Sequence, residues 1–299
     1  MKILNLSLSR SSVDRAAHVR NDEAALNAIW ENARVIHFNG AGFLTNQNSL
    51  RFLSADEIGG EGARIFLGQE QGITYFLWCS PAHIGPVEEY RTLREIGSLL
   101  TNLEIGLAVH AQALGLWHHD NGFCSKCGAQ SLPALGGSIR RCAQGHEHYP
   151  RTDPAIIVLV RDKDDRILLG RQAVWPEHRF STFAGFVEAG ESFEQCVLRE
   201  VYEEAGVKVS DISYLGSQPW PFPQSLMIAF QATIQDPQNA RPDGEEIVEI
   251  RWYDRDELYA AIIEGQLLLP PSISVARAMI QSWYGSDRPE LPGAETWRP

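Results

Sequence analysis

The sequence predicts a mixed α/β (α+β) protein: two folded segments with a small, metal-stapled segment between them. Short apolar runs bounded by turn residues alternate with two strongly periodic helical stretches, and strand–helix–strand units are too few for a doubly wound sheet. A length of 299 residues suits about two domains. Between these, residues 121–150 are rich in Gly and Cys and too poor in apolar side chains to form a core unaided.

Taken in order, residues 1–120 form the first expected domain. Ile65 to Leu67 and Ile73 to Trp78 read as strands flanking a hairpin turn at Gln69–Gly72. Glu88 to Leu116 reads as one helix, with Leu93, Ile96, Leu100, Leu103, Leu107 and Leu114 near a 3.6-residue period. No catalytic constellation occurs here, which suits a scaffold or dimerisation domain. After the linking segment, residues 151–285 open with a strand from Ala155 to Val160, a turn at Lys163–Asp165 and a strand from Arg166 to Leu169. A helix over Ser192 to Ala205, further strands and a helix over Ser274 to Trp283 follow. The Pro-bearing tail, 286–299, is expected to be loose.

Composition narrows the function classes. A formal net charge of −12 argues against a general polyanion-binding surface. A phosphorylated substrate would therefore need cations to offset local repulsion. No apolar run reaches the roughly 18 residues of a membrane span, and Met1 to Arg10 has no leader-like apolar core. Cys79, Cys124, Cys127, Cys142 and Cys196 are odd in number and clustered, which points to metal rather than disulfides and to a reducing, cytoplasmic setting.

The linking segment carries a zinc candidate. Cys124-Ser-Lys-Cys127-Gly places two thiolates where they can grip one tetrahedral ion, and the glycine lets the chain turn back. Cys142 follows at the spacing of a second pair, but its partner position is Gly145, which has no ligand atom. His146 is the expected fourth ligand and His148 the fallback. Four protein ligands leave no open position, so the Zn2+ would be structural.

The strongest signal is Gly185-Phe-Val-Glu-Ala-Gly-Glu191, seven residues, then Arg199-Glu200-Val201-Tyr202-Glu203-Glu204-Ala205-Gly206-Val207. Phe193, Val197, Glu200 and Glu204 follow i, i+4, i+7, i+11 and share one helical stripe, so carboxylates interrupt an inward-facing apolar line. Glu203 lies one position round, near Cys196. A merely solvated acidic face would lie opposite, where Gln195, Arg199 and Tyr202 stand. Carboxylates crowded at a half-buried edge repel one another unless hard divalent cations bind, and Mg2+ or Mn2+ suit oxygen ligands. Such ions serve pyrophosphate hydrolysis by offsetting charge, polarising a phosphoryl oxygen and acidifying water. Arg199 can pair with Glu191 and brace the Gly-bearing loop against the helix.

These residues fit the G-x5-E-x7-R-E-U-x-E-E-x-G-U box (U aliphatic) at every fixed position, a chance match on the order of one in a billion per start position. The sequence thus resembles the Nudix hydrolases. Beyond the box, Ser217-Gln218-Pro219-Trp220-Pro221-Phe222-Pro223-Gln224-Ser225 combines a rigid Pro-rich path with flat aromatic faces. The run is similar to the SQPWPFPxS array of the NADH pyrophosphatase branch, which also carries a zinc ribbon ending in a turn like Tyr149-Pro150-Arg151.

The resemblance implies an α/β/α sandwich over 151–285, a Nudix-like α+β amino-terminal domain over 1–120, and the ribbon over 121–150. It implies hydrolysis of NADH or NAD+ to a nicotinamide mononucleotide and AMP, or removal of an NAD cap from RNA 5′ ends by the same chemistry, in a homodimer. The lost fourth ribbon cysteine is its one departure. By the same resemblance, Glu200, Glu203, Glu204 and Glu246 would hold the catalytic metal, with Arg199 in the catalytic set. The run Gln218 to Ser225 would bind substrate, Ala276 would contact it, and Phe186 and Tyr149 would lie beside a base. Which glutamate acts as base, and how many metals bind, stay open.

Overall fold

The computed structural model describes residues 6–293. The chain divides into two compact units. One comprises Leu8–Thr152 with Trp220–Gln224; the other takes residues 6–7, Asp153–Pro219 and 225–293. The ribbon segment thus belongs with the amino-terminal unit. The described residues form a mixed α/β structure with three sheets.

The amino-terminal unit holds strands β1 (Arg34–Phe38), β2 (Phe43–Asn46), β3 (Ser49–Leu50), β4 (Ala63–Glu70), β5 (Ile73–Cys79) and β6 (Tyr90–Arg91), with helices α1 (Glu23–Trp30), α2 (Leu93–Ile96) and α3 (Asn102–Asp120). The sheet order is β3-β2-β1-β5-β4, with β6 on β2. The β4–β5 turn forms where expected, with Gln71 and Gly72 both at positive φ, as a tight two-residue hairpin demands.

The single helix expected over 88–116 is instead interrupted. Thr92 with Glu95, and Thr101 with Glu104, each form a capping box, so the chain starts a short helix, stops, and starts again. Glu104 also accepts from the Leu50 N–H at 2.9 Å, which ties the start of α3 to the sheet. Helix α3 then runs on to Asp120, beyond the expected end. The ribbon is a small sheet of β7 (Ser131–Ala134), β8 (Ile139–Cys142) and β9 (Glu147–His148).

The second unit comprises β10 (Asp153–Arg161), β11 (Ile167–Gln172), β12 (Phe183–Phe186), α4 (Phe193–Ala205), β13 (Val209–Trp220), β14 (Ser225–Ile234), β15 (Ile247–Tyr253), α5 (Arg255–Ile263) and α6 (Val275–Tyr284). Its sheet runs β13-β14-β10-β11-β15, with β12 on β10. Central strand β10 is apolar on both faces, as a strand covered on both sides must be. Ile156, Val158 and Val160 pack with Cys196, Val197, Val201 and Ala205 of α4. Ile157 and Leu159 face Val275, Met279, Ile280 and Trp283 of α6. This layering is the α/β/α sandwich.

The tail differs from expectation over its first part. Leu291 is buried, and Arg277 donates to the carbonyls of Leu291 and Pro292. Residues 294–299 lie outside the described residues.

Candidate active site

Helix α4 is defined at both ends. The Ser192 side chain accepts from the Gln195 N–H, the Gln195 side chain returns to the Ser192 N–H, and Gly206 ends the helix at φ 69°. Its buried line is Cys196, Val197, Val201, Glu204 and Ala205. Phe193, expected on that line, is 39% exposed and lies outside the helix's buried set.

Strand β12 passes close beneath α4. A Cβ at Gly185 would fall inside the carboxyl group of Glu200, so only glycine lets that carboxylate lie against the strand. Arg199, on the outer face by periodicity, curls back to make the expected pairing with Glu191. Its Nε and Nη2 donate to the two oxygens of Glu191 at 2.8 Å each, the two-pronged bond a guanidinium makes best. Its Nη1 reaches Glu200 at 2.8 Å and Glu203 at 3.0 Å, and Nη2 also reaches the Phe186 carbonyl at 2.9 Å. Arg199 holds the Glu191 carboxyl down at about 2 and is itself shifted up.

Glu204 has no such partner. It is 4% exposed, and its Oε2 makes no hydrogen bond. Burial, reinforced by the charges of Glu246 and Glu200, pushes its carboxyl up to about 9. Glu200 is raised by burial too, against the pull of Arg199. Glu246, just before β15, is held from two sides. Gln172 donates to its Oε1 at 2.8 Å, and Asp243 accepts from the N–H groups of Glu246 and Ile247 at 3.0 and 2.7 Å.

The resulting surface offers hard oxygen donors, among them an orphaned buried carboxylate oxygen, and fits a hard divalent cation. The carboxylates are not drawn tight. Among the described residues, the ribbon cluster is the one group of three or more His, Cys, Asp or Glu ligand atoms lying within 4.8 Å of one another.

That cluster is Cys124, Cys127, Cys142 and His146. Ideal tetrahedral zinc bonds would set two sulfurs about 3.8 Å apart and a sulfur and a nitrogen about 3.5 Å apart. Cys127 and Cys142 sulfurs lie 3.8 Å apart, and Cys124 Sγ lies 3.5 Å from His146 Nδ1. The donor set fits zinc. His148 Nε2 lies 3.1 Å from Cys124 Sγ, short of a ligand–ligand edge and suited to a hydrogen bond onto the thiolate.

The aromatic array forms the end of β13, the tip and the start of β14. Gln218 is wholly buried and its Nε2 donates to the Ile273 carbonyl at 2.9 Å, so its side chain braces the fold rather than facing a ligand. Trp220 and Phe222 meet edge to face at 4.9 Å, and the Phe222–Pro223 peptide is cis. Arg94 of α2 lies 4.0 Å over the Phe222 ring and 5.2 Å over Trp220, and Gln112 of α3 donates to the Pro221 carbonyl. Pro223 is exposed, whereas Pro219, Gln224 and Ser225 are half-buried.

Phe186 and Tyr149 are 60% and 66% exposed, free to stack on a ligand; the Tyr149 hydroxyl donates to Glu147. Ala276 lies in the first turn of α6. Its methyl is buried in the core beside Val275 and Met279, which leaves only its peptide group for any contact.

Sequence reasoning missed Arg94, Gln172 and Asp243. Asp243-Gly-Glu-Glu246 carried a readable turn signal. Arg94 and Gln172 act across long sequence separations that no local pattern encodes.

A NAD-capped RNA hydrolase NudC from Mycobacterium bovis (strain BCG / Pasteur 1173P2) is 42% identical over 298 residues, covering 92% of this chain and 94% of its own. The chain belongs to the Nudix family. The NUDIX domain pattern matches residues 151–269 of this Nudix hydrolase, spanning β10, the box helix and the aromatic array. The NAD-capped RNA hydrolase NudC of Mycobacterium tuberculosis (strain H37Rv) is likewise 42% identical at the same coverage. NudC of Pseudomonas aeruginosa (strain LESB58) is 40% identical over 189 residues, 62% of this chain and 64% of its own.

Proposed function

We propose that this Nudix hydrolase cleaves the pyrophosphate of NADH or NAD+ to a nicotinamide mononucleotide and AMP. The observation that carries the hydrolytic part is Glu204, buried, unpartnered at one oxygen, and facing the charges of Glu200 and Glu246. Glu200, Glu203, Glu204 and Glu246 would hold Mg2+ or Mn2+. When bound, such an ion offsets the diphosphate charge, polarises a phosphoryl oxygen and lowers the pKa of water.

The chain's own residues do the rest. Arg199 fixes Glu191, Glu200 and Glu203 in one network, so the carboxylates need little rearrangement when substrate arrives. Pro219, Pro221 and Pro223 stiffen the path that presents Trp220 and Phe222 as stacking faces. Gln224 and Ser225 add polar groups beside them. Phe186 and Tyr149 offer further flat faces for a base. Ala276 contributes through its peptide, and Gln218 through the main chain it steadies.

The relatives' names favour a second reading with the same bond cut, removal of an NAD cap from RNA. Incubation with NADH, NAD+ and NAD-capped RNA in separate Mg2+ and Mn2+ reactions, with mass-spectrometric identification of products, tests both. Nicotinamide mononucleotide and AMP from the free dinucleotides support the first reading. A released nicotinamide mononucleotide with 5′-monophosphorylated RNA supports the second. All three substrates surviving intact would refute the assignment.

We place Zn2+ in the ribbon on Cys124, Cys127, Cys142 and His146, and the enzyme in the reducing cytoplasm, where such thiolates persist. Among the described residues no helix is long and apolar enough to cross a membrane. A homodimer is the working assembly we propose, since twofold dimers are the commonest soluble oligomer. Light scattering at micromolar protein checks it; full activity at the 33.4 kDa mass of one chain would overturn it.

A further inference from the structure

Strands β1 and β5 are the parallel pair of the amino-terminal sheet, with Phe38 opposite Cys79 at their carboxyl ends. A cavity of about 540 Å3 opens just beyond those ends. Open sheets place ligands in this position, outside the carboxyl ends of parallel strands, and the volume lies in the range of small-molecule sites. Cys79, Ser80, the apolar Leu116 and Pro133, and Arg140 of β8 with its partner His118 of α3 are among the residues that line it. Every lining residue belongs to the amino-terminal unit.

Arg140 is 8% exposed, yet its hydrogen-bond partners are all neutral. Nε donates to the Ser131 hydroxyl, Nη1 to His118 Nδ1 and the His118 carbonyl, and Nη2 to the Ser131 carbonyl. A guanidinium has five N–H groups, so one on Nη2 has no acceptor in this set. His118 adds no charge. Its Nε2 faces the Gly137 carbonyl at 2.7 Å, leaving Nδ1 to accept from Arg140, and burial holds the ring down at about 4. No Asp or Glu lines the cavity.

We propose that this cavity is a second ligand site, for a small monocarboxylate with an apolar or aromatic body. Burying a permanent cation is costly unless an anion joins it, and one guanidinium balances one negative charge. A dianionic phosphate would leave a surplus charge in a largely apolar cavity. A neutral ligand would leave the cation as it is. Leu116 and Pro133 meet the ligand body, and the remaining N–H of Arg140 meets the carboxylate.

The test uses the zinc-loaded full chain and fluorine NMR. The probes are 4-fluorobenzoate, the neutral 4-fluorobenzamide and the cationic 4-fluorobenzylammonium. The carboxylate should bind at least tenfold more tightly than either, and excess AMP should not displace it. Leu116→Trp, which fills the cavity, and Arg140→Met should each remove that preference. Zinc content and melting temperature report whether Arg140→Met keeps its ribbon; if it does not, Leu116→Trp and the charge series decide. Equal binding of acid and amide, displacement by AMP, or undiminished binding to folded Leu116→Trp would each overturn the site.

Discussion

Glu204 sits where protein alone gives an ionised carboxylate least support, buried and with one oxygen unpartnered. In a chain that binds a cation there, the two costs offset each other. Glu204→Gln should therefore lower kcat by about 100-fold or more. It should also leave the metal-stripped protein at least as heat-stable as the parent, because a neutral amide escapes the cost of protonating a carboxyl that burial pushes up to about 9 while the unfolded chain ionises it. Turnover within a few-fold of the parent in a folded variant would remove Glu204 from the mechanism. The shared stripe of Glu200 and Glu204 was legible from spacing, since helix geometry gathers i and i+4 positions on one face, whereas Glu246 came only from the resemblance. Arg199 was legible as a partner of Glu191 but not as the hub of Glu200 and Glu203. A long side chain can curl back from the outer face, and periodicity assigns only its Cα. For Ala276 the resemblance transfers only a position, and packing decides whether the side chain or the peptide is left to face a ligand.

Between elements, the contact that most constrains chemistry is β12 against α4. Gly185→Ala should cost at least tenfold in kcat and lower the melting temperature by several degrees. Its methyl must displace the Glu200 carboxylate or prise the helix from the strand, and strain of this kind costs about 1–3 kcal/mol. Unchanged kinetics would show that the strand yields freely. In the ribbon, His146→Ala should lose zinc during dialysis against a chelator. His148→Ala should retain it with about 10–100-fold weaker affinity, as expected when a hydrogen bond onto a ligating thiolate is lost. Reversed outcomes would make His148 the ligand. The stretch before α3 shows why element boundaries were harder to read than element types. Leucine periodicity continues across Gly97 to Thr101, but each capping box closes a local circuit of hydrogen bonds that periodicity does not register.

On the scale of the molecule, the amino-terminal unit carries His37, His110 and His118, held by burial at about 4, 3 and 4 against an ordinary 6.5. Above 6.5 neither folded nor unfolded chain protonates them. As pH falls below it, the unfolded chain takes up protons that the folded one refuses, so stability is lost progressively down to about pH 4 for His37 and His118 and to about pH 3 for His110. The melting temperature at saturating zinc should fall over that window, and less steeply in His110→Gln. Parallel slopes would mean that His110 titrates alike in both states. Local pattern located the mixed α/β segments and the cysteine staple, and the resemblance carried by the box supplied the sandwich. Neither assigned Trp220–Gln224 to the amino-terminal unit, because that grouping joins residues more than a hundred positions apart.

The same grouping bears on how the chain is made. During synthesis the first 152 residues leave the ribosome well before residues 220–224 exist, so the amino-terminal unit waits, incomplete, for a piece delivered by the next. Helix α3 emerges with Gln112 still lacking the Pro221 carbonyl it will bond. No single cut in the gene yields either unit whole, and a gene shuffled at residue 152 would separate the tip from its bed.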